Sequence, residues 1–133
     1  MARPCAVVGI GQTKYKRQLP VTLDGLVREA ALQALEDANL TFADIDAVVI
    51  GKAPDALEGV VMPELSLAGA LGAVGKPIHR VHTAGSVGAS TAISAAVLVE
   101  SGRRRAEVAL GGCLRSIHSR TKLDNVEIEF EES

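Results

Sequence analysis

Short apolar runs alternate along the chain with segments in which apolar residues recur every three or four positions. The runs predict buried strands, at positions 5–10, 47–50, 77–83 and 106–110. The periodic segments predict helices, at positions 22–38, 63–71 and 86–101. Thr41 and Asp44 fit a small capping-box turn before the second strand. The order β-α-β-α-β-α-β with short connections predicts an α/β fold with an open, mostly parallel sheet and right-handed crossovers.

Ligands bind such sheets at the carboxyl ends of the strands. The segments that follow the first three predicted strands are therefore the candidate site, at positions 11–13, 51–55 and 83–88. Lys52, Asp55 and Glu58 follow the second strand, where they either face a ligand or are exposed loop charges.

The segment 86–101 is unusual because its residues are small or apolar on nearly every side until Glu100. A helix without a polar face is buried all round, and the charged segment after the fourth strand is too short to supply a second sheet. We therefore expect a covering layer that these residues do not contain.

The turn before this helix contains Thr83, Gly85, Ser86 and Gly88. Backbone N–H groups and the positive end of the helix dipole point outward at such a turn. Gly85, Ser86 and Gly88 are therefore candidate binding residues for an oxyanion or a thioester carbonyl. The alternative is that the two glycines only allow close helix packing.

Composition excludes several classes of protein. The 133 residues are 47% hydrophobic and 2% aromatic, with 14 basic against 16 acidic residues. A disordered chain would be less apolar, and a duplex nucleic-acid binder would carry a clustered basic excess. Cys5 and Cys113 form neither a disulfide framework nor a zinc site, so we expect no metal and a reduced, cytoplasmic setting. Neither a signal peptide nor a membrane-spanning segment is expected.

Three motifs resemble the amino-terminal half of the thiolase superfamily. They are VVGIGQT at Val7 to Thr13, VIGKAPDALEG at Val49 to Gly59 and RVHTAGSVGASTA at Arg80 to Ala92. The similarity covers roughly residues 4–110 and is greatest to the lipid-transfer-protein-like branch, which includes sterol carrier and acetyl-CoA acetyltransferase-like proteins. It implies an α-β-α half-domain that packs against a second, similar half, and it implies chemistry on acyl-CoA in lipid metabolism.

The resemblance sets the family's nucleophilic cysteine at Gly85, which has no side chain to acylate. Ser86 and His82 are neighbouring candidates, and their alternative role is local hydrogen bonding. The family's other catalytic groups come from its carboxyl-terminal half. We expect His118 to be a solvated loop residue. The implied reactions are acyl transfer, retro-Claisen or retro-aldol cleavage, with a coenzyme A thioester as substrate and no bound cofactor. Retro-aldol chemistry needs no acyl-enzyme, which suits a glycine at this position.

The resemblance also implies a homodimer through the strand from Ile78 to Thr83, with a second half or a small partner subunit. We accordingly expect the chain to be an incomplete enzyme, inactive alone, or else a non-catalytic module for acyl-CoA binding or subunit assembly. Arg103 to Arg105 either meet coenzyme A phosphates or complement a helix dipole. We divide the chain into a thiolase-like domain, 1–110, and an atypical charged tail, 111–133. The end of that tail alternates apolar and acidic residues, so it forms an edge strand or is disordered.

Overall fold

The computed structural model describes residues 4–14, 21–52, 61–102, 106–113 and 124–132, with side chains described through residue 102. Its strands are β1 (Cys5–Gln12), β2 (Ala47–Lys52), β3 (Ile78–Val81), β4 (Ala106–Cys113) and β5 (Asp124–Glu132). Its helices are α1 (Leu23–Ala38), α2 (Pro63–Leu67) and α3 (Val87–Glu100). A 3-10 turn, Ala84–Ser86, leads directly into α3. Among the described residues, no helix is long and apolar enough to cross a lipid bilayer.

The five strands form one sheet in the order β1-β5-β4-β2-β3. β2 runs parallel to β3 and to β4. β5 runs antiparallel to both of its neighbours, so four strands share one direction and β5 opposes them. The predicted α/β fold with an open, mostly parallel sheet is confirmed.

The strand at the end of the chain lies inside the sheet and not at its edge. Ile128 of β5 is opposite Ile10 of β1 on one side and Ala109 of β4 on the other. The expectation of an edge strand is therefore corrected. Alternation of apolar and acidic residues indicates that a segment is extended. It does not indicate which strands lie beside it, because contacts between distant parts of the chain decide that. The division expected after residue 110 falls within β4.

The helices cover the two faces of the sheet unequally. On one face, Val48 and Ile50 of β2 pack with buried residues of α1, α2 and the connecting loops. That cluster consists of Val27, Ala31, Leu35, Ile45, Val48, Ile50, Leu67, Leu71 and Ala73. On the other face Val49 packs against Ala95 and Val99 of α3. The larger core therefore lies on the side of α1. Among the described helices, α3 is the one that packs on the opposite side, and it covers only part of it.

β1 is less buried than its apolar sequence predicts. Gly9 and Gly11 face α1 so closely that an added Cβ at either would overlap backbone atoms of Ala34 or Ala30. A bulge between Val7 and Gly9 changes which residues face α1. Val7 and Ile10 are 51% and 63% exposed, so the expectation of burial on both faces is wrong. β1 is an edge strand, and α3 lies mainly over β2 and β4.

Candidate functional site

The candidate site lies at the carboxyl ends of β2 and β3. These strands are parallel, and Gly51 of β2 is in register with Val81, the last residue of β3. The chain continues from Val81 through His82 and Thr83 into the 3-10 turn, and α3 begins at Val87. The turn from Thr83 to Gly88 therefore lies where the topology of a parallel sheet directs ligands.

The candidate residues in and beside this turn are exposed. His82, Gly85, Ser86 and Gly88 face solvent. A Cβ added at Gly85 or Gly88 would meet no atom within 4 Å. Within the described part of the chain, neither glycine is therefore required for close packing, and the space above the turn is open.

Ser86 is held by bonds within the turn. Its backbone N–H donates to the carbonyl oxygen of Thr83 at 3.1 Å, and its hydroxyl donates to the same oxygen at 3.4 Å. These bonds close the turn and fix its approach to α3. A pairing of Ser86 with His82 stays a prediction.

The sequence did not reveal the contact between α3 and β2 that supports this turn. Thr91, fully buried, donates its hydroxyl to the carbonyl oxygen of Val87 at 2.6 Å. It packs directly on Gly51, where an added Cβ would overlap the Thr91 hydroxyl and lie 3.0 Å from Cγ2 of Val87. The signal in the sequence is the period-four stripe Val87, Thr91, Ala95 and Val99, which forms the buried face of α3.

Lys52 is not an exposed loop charge. It is the last residue of β2 and only 4% exposed, so that alternative is wrong for this side chain. Thr13, after β1, is buried to the same extent. Asp55, Glu58, Arg103 to Arg105 and His118 lie outside the described residues. Among those that the structure describes, no group of three or more metal-binding side chains occurs.

Cys5 lies far from the turn. Its thiol donates to Oε1 of Glu100 at 3.7 Å, at the end of α3 opposite the turn. Burial, followed by the negative charge of Glu100 and this hydrogen bond, raises the pKa of the Cys5 thiol. A raised pKa keeps the sulfur protonated and unreactive, so Cys5 lacks the properties of a nucleophile.

α3 has an apolar face that the described chain leaves uncovered. Ile93 and Val97 are 65% and 57% exposed, whereas the stripe at positions 87, 91, 95 and 99 is buried. These exposed side chains lie where the sequence led us to expect a covering layer outside these residues, and that layer stays a prediction. Val7 and Ile10 of β1 are also exposed. Gly9 and Gly11 face α1, so Ile10 between them faces the side of the sheet on which α3 lies.

No family model matches the chain, whereas curated proteins match part of its sequence and solved structures match its fold. An acetyl-CoA acetyltransferase of Methanothermobacter thermautotrophicus is 41% identical over 49 residues, which are 37% of this chain and 13% of that protein. A priming β-ketosynthase from the R1128 polyketide biosynthetic pathway superposes with a TM-score of 0.80 at 18% identity, over 99% of this chain and 51% of that one. The Ltp2–ChsH2(DUF35) aldolase superposes with a TM-score of 0.67 at 25% identity, over 86% of this chain and 28% of that one.

The chain thus spans about half of the length of the ketosynthase. The segment that matches the acetyltransferase spans 13% of that protein's length. The whole length of the chain is accounted for by one half of a solved fold.

Proposed function

We propose, from the premise that the chain is a thiolase-like half-domain, that it binds the thioester of an acyl-coenzyme A at the turn from Thr83 to Gly88. There it would contribute to acyl-transfer or carbon–carbon bond chemistry. The observation that carries the proposal is the exposed turn at the carboxyl end of β3, which opens above Gly85 and leads into α3. The acetyl-CoA acetyltransferase among the relatives supports the class of substrate.

The chemistry of the turn suits a thioester carbonyl. The first N–H groups of a helix have no partner within it, and the helix dipole favours negative charge at that end. A carbonyl oxygen that becomes an enolate or oxyanion gains most from such donors as its charge develops. Val87 and Gly88, in the first turn of α3, are the chain's own donors for that oxygen.

The absence of a side chain at Gly85 favours a reaction without an acyl-enzyme. In a retro-aldol cleavage, a base removes the proton of a β-hydroxyl group and the Cα–Cβ bond breaks. The bonding electrons pass into the thioester as an enolate, a carbonyl product leaves, and protonation at Cα gives the shortened acyl-CoA. The similarity to a solved aldolase supports this route. His82, exposed beside the turn, is the candidate base within the described residues.

A calorimetric titration of the full chain with acetyl-CoA tests the proposal. We expect saturable binding, and we expect Gly88→Pro to weaken it about fivefold because it removes one N–H donor of a kind that contributes roughly 1 kcal/mol. Proline is tolerated in the first turn of a helix. Gly25→Pro, in the first turn of α1, is the matched control and should bind as the wild type does. Equal affinity in both variants, or no binding by the wild type, would count against the proposed site.

The second candidate function is assembly without chemistry. Two observations favour it, namely the exposed Ile93 and Val97 of α3 and the position of β3, which hydrogen-bonds with β2 alone among the described strands. The uncovered face of α3 would pack against a second, similar half or a small partner subunit. The strand from Ile78 to Thr83 would pair with its mate in a homodimer.

Turnover assays separate the two candidates. Cleavage of an acyl-CoA by the 133 residues alone would contradict the assembly candidate. A normal dimer mass, with no turnover either alone or after mixing with a candidate second half, would contradict the catalytic one. We propose that either function belongs to lipid metabolism in the cytoplasm.

A further inference from the structure

We propose that Gly51 and Thr91 are positioning residues that hold the turn from Thr83 to Gly88 at its distance from the carboxyl end of β2. The inference rests on the proposed function for its chemical meaning, because that turn is the proposed thioester site. The contact itself is a property of the fold, so it is testable without a ligand.

The contact is narrow and lies at one point. Thr91 has no exposed surface, and it packs on Gly51 with no room for a side chain between them. A Cβ at position 51 would lie 3.0 Å from both Cβ of Thr91 and Cγ2 of Val87. Carbon atoms in contact prefer about 3.5–4.0 Å, so the first two turns of α3 would have to move away from the sheet.

Movement of these two turns is transmitted to the site because no flexible segment separates them. Val87 follows the 3-10 turn immediately, and the hydroxyl of Thr91 bonds the carbonyl oxygen of Val87 at 2.6 Å. Ser86, one position earlier, is bonded to Thr83. A displacement of α3 at Val87 therefore carries the whole turn with it.

The other end of α3 is anchored independently. Ala95 and Val99 pack on Val49, two positions before Gly51 and on the same face of β2. A side chain at position 51 would therefore tilt α3 about this second contact and would not detach it. The expected disturbance is confined to the turn and the first two turns of the helix.

The chain offers a matched control on the opposite face of the sheet. Gly9 of β1 is also crowded, because an added Cβ would overlap the backbone oxygen of Ala34 and lie 2.9 Å from Cβ of Ala38. Gly9→Ala therefore introduces a steric conflict too, but against α1. A general loss of stability would be common to both variants, whereas a displaced turn is expected only from Gly51→Ala.

Amide hydrogen exchange on the full chain is the ligand-independent test. We expect Gly51→Ala to raise exchange at 83–88 about tenfold or more, as local opening becomes easier, with little change in α1. Gly9→Ala should show the reverse pattern. The double variant Gly51→Ala/Thr91→Ala removes the hydroxyl oxygen that lies closest to the added Cβ, but the close approaches to Cβ of residue 91 and Cγ2 of Val87 remain, so it should recover part of the protection. Equal changes in the two regions, or no recovery in the double variant, would overturn the proposal.

If Gly51→Ala does not fold, Thr91→Ala alone serves as the test. It removes the side-chain atoms that rest on Gly51, so exchange should rise at 83–88 and not in α1. Unchanged exchange at the turn would overturn the proposal as well.

Acetyl-CoA binding distinguishes the failure of this inference from failure of the proposed function. A displaced turn no longer holds its N–H donors at the thioester oxygen, and one such hydrogen bond accounts for about fivefold in affinity, so Gly51→Ala should bind more weakly than the folded Gly9→Ala variant. Absence of binding by the wild type contradicts the proposed function, while the exchange pattern still decides the role of Gly51. Binding by the wild type and equally by Gly51→Ala contradicts the positioning role alone.

Discussion

The thiol of Cys5 and the carboxylate of Glu100 meet across 95 positions of sequence, with 3.7 Å between Sγ and Oε1. One residue begins β1 and the other ends α3. The contact joins the edge of the sheet to the helix that leads away from the candidate site. Burial is the larger cause of the raised thiol pKa, and the charge of Glu100 and its hydrogen bond add to it.

Glu100→Gln should make Cys5 more reactive. The substitution removes the negative charge of Glu100, one of the causes that raise the pKa of the thiol, so that pKa falls toward its ordinary value. Because the thiolate is the nucleophile, we expect several-fold faster alkylation by iodoacetamide at about pH 8.5. Mass spectrometry of the peptide that contains Cys5 gives the rate, with Glu36→Gln as control. Unchanged alkylation in Glu100→Gln would show that Glu100 does not influence the thiol.

The same pair makes stability depend on pH in the alkaline range. Cys5 has a higher pKa folded than unfolded, so its contribution is complete below the unfolded value and is lost as pH rises through the folded value. Glu100→Gln lowers the folded pKa of the thiol, so the loss of stability should be smaller and should end at a lower pH. Thermal unfolding between about pH 8 and pH 11 measures it, and coincident curves for wild type and variant would contradict the assignment.

Asp44 should stabilise the turn before β2 only while it is ionised. Its carboxylate accepts hydrogen bonds from the hydroxyl and the N–H of Thr41, at 2.7 Å and 2.8 Å, and these hold the pKa of the carboxyl below its ordinary value. A lowered pKa gives stability that is present above the unfolded value and lost as pH falls through the folded value.

Asp44→Asn should therefore be less stable than wild type at neutral pH, and the difference should shrink below about pH 4. Melting temperatures across this range test the prediction, with Glu29→Gln as the control that keeps the bonds to Thr41. A difference that stays constant down to about pH 2 would mean that the carboxylate charge is not involved.

Two isoleucines that differ in burial should differ in how much their truncation lowers the free energy of unfolding. Ile50 of β2 is fully buried in the larger core, whereas Ile93 of α3 is 65% exposed. Ile50→Ala should lower the free energy of unfolding by about 2–5 kcal/mol. Ile93→Ala should change it by less than about 0.5 kcal/mol in the isolated chain. Denaturant unfolding of both variants provides the comparison.

Because Ile93 lies on the uncovered face of α3, its substitution can also be tested by measuring association with a partner. If this face binds a second half or partner, Ile93→Ala should weaken that association while leaving the chain folded. A large loss of stability in Ile93→Ala without a partner would contradict the description of this face as solvent-exposed.

A cysteine at position 85 should fold without strain and become reactive. A Cβ there meets no atom within 4 Å, so Gly85→Cys should leave the free energy of unfolding within about 0.5 kcal/mol of wild type. The positive end of α3 should lower the pKa of the new thiol. The thiolate can attack acetyl-CoA, forming an acetyl–cysteine thioester as the thiolate of coenzyme A leaves.

Intact-protein mass spectrometry should detect one added acetyl group on Gly85→Cys. Gly69→Cys is the matched control, since Gly69 is also open on all sides and lies far from the turn in sequence. Equal acetylation of the two variants would show that the turn provides no special environment for a thioester.

The sequence predicted most of the local structure, since the period of apolar residues marks strands and helices directly. It did not predict that β5 lies between β4 and β1, because pairing is decided by distant contacts. It placed the candidate turn correctly at a strand end but missed its support. The contact between Gly51 and Thr91 depends on the register of α3 over β2, which periodicity does not specify. The apolar face of α3 was visible, but its exposure at Ile93 became apparent only from the packing.

The most direct test of the proposed function is an NMR titration of the full chain with acetyl-CoA that follows every assigned backbone amide. We expect saturable shifts that are largest from Thr83 to Gly88, with little change in α1 on the other face of the sheet. Absence of saturable shifts, or shifts centred away from the carboxyl ends of β2 and β3, would contradict it.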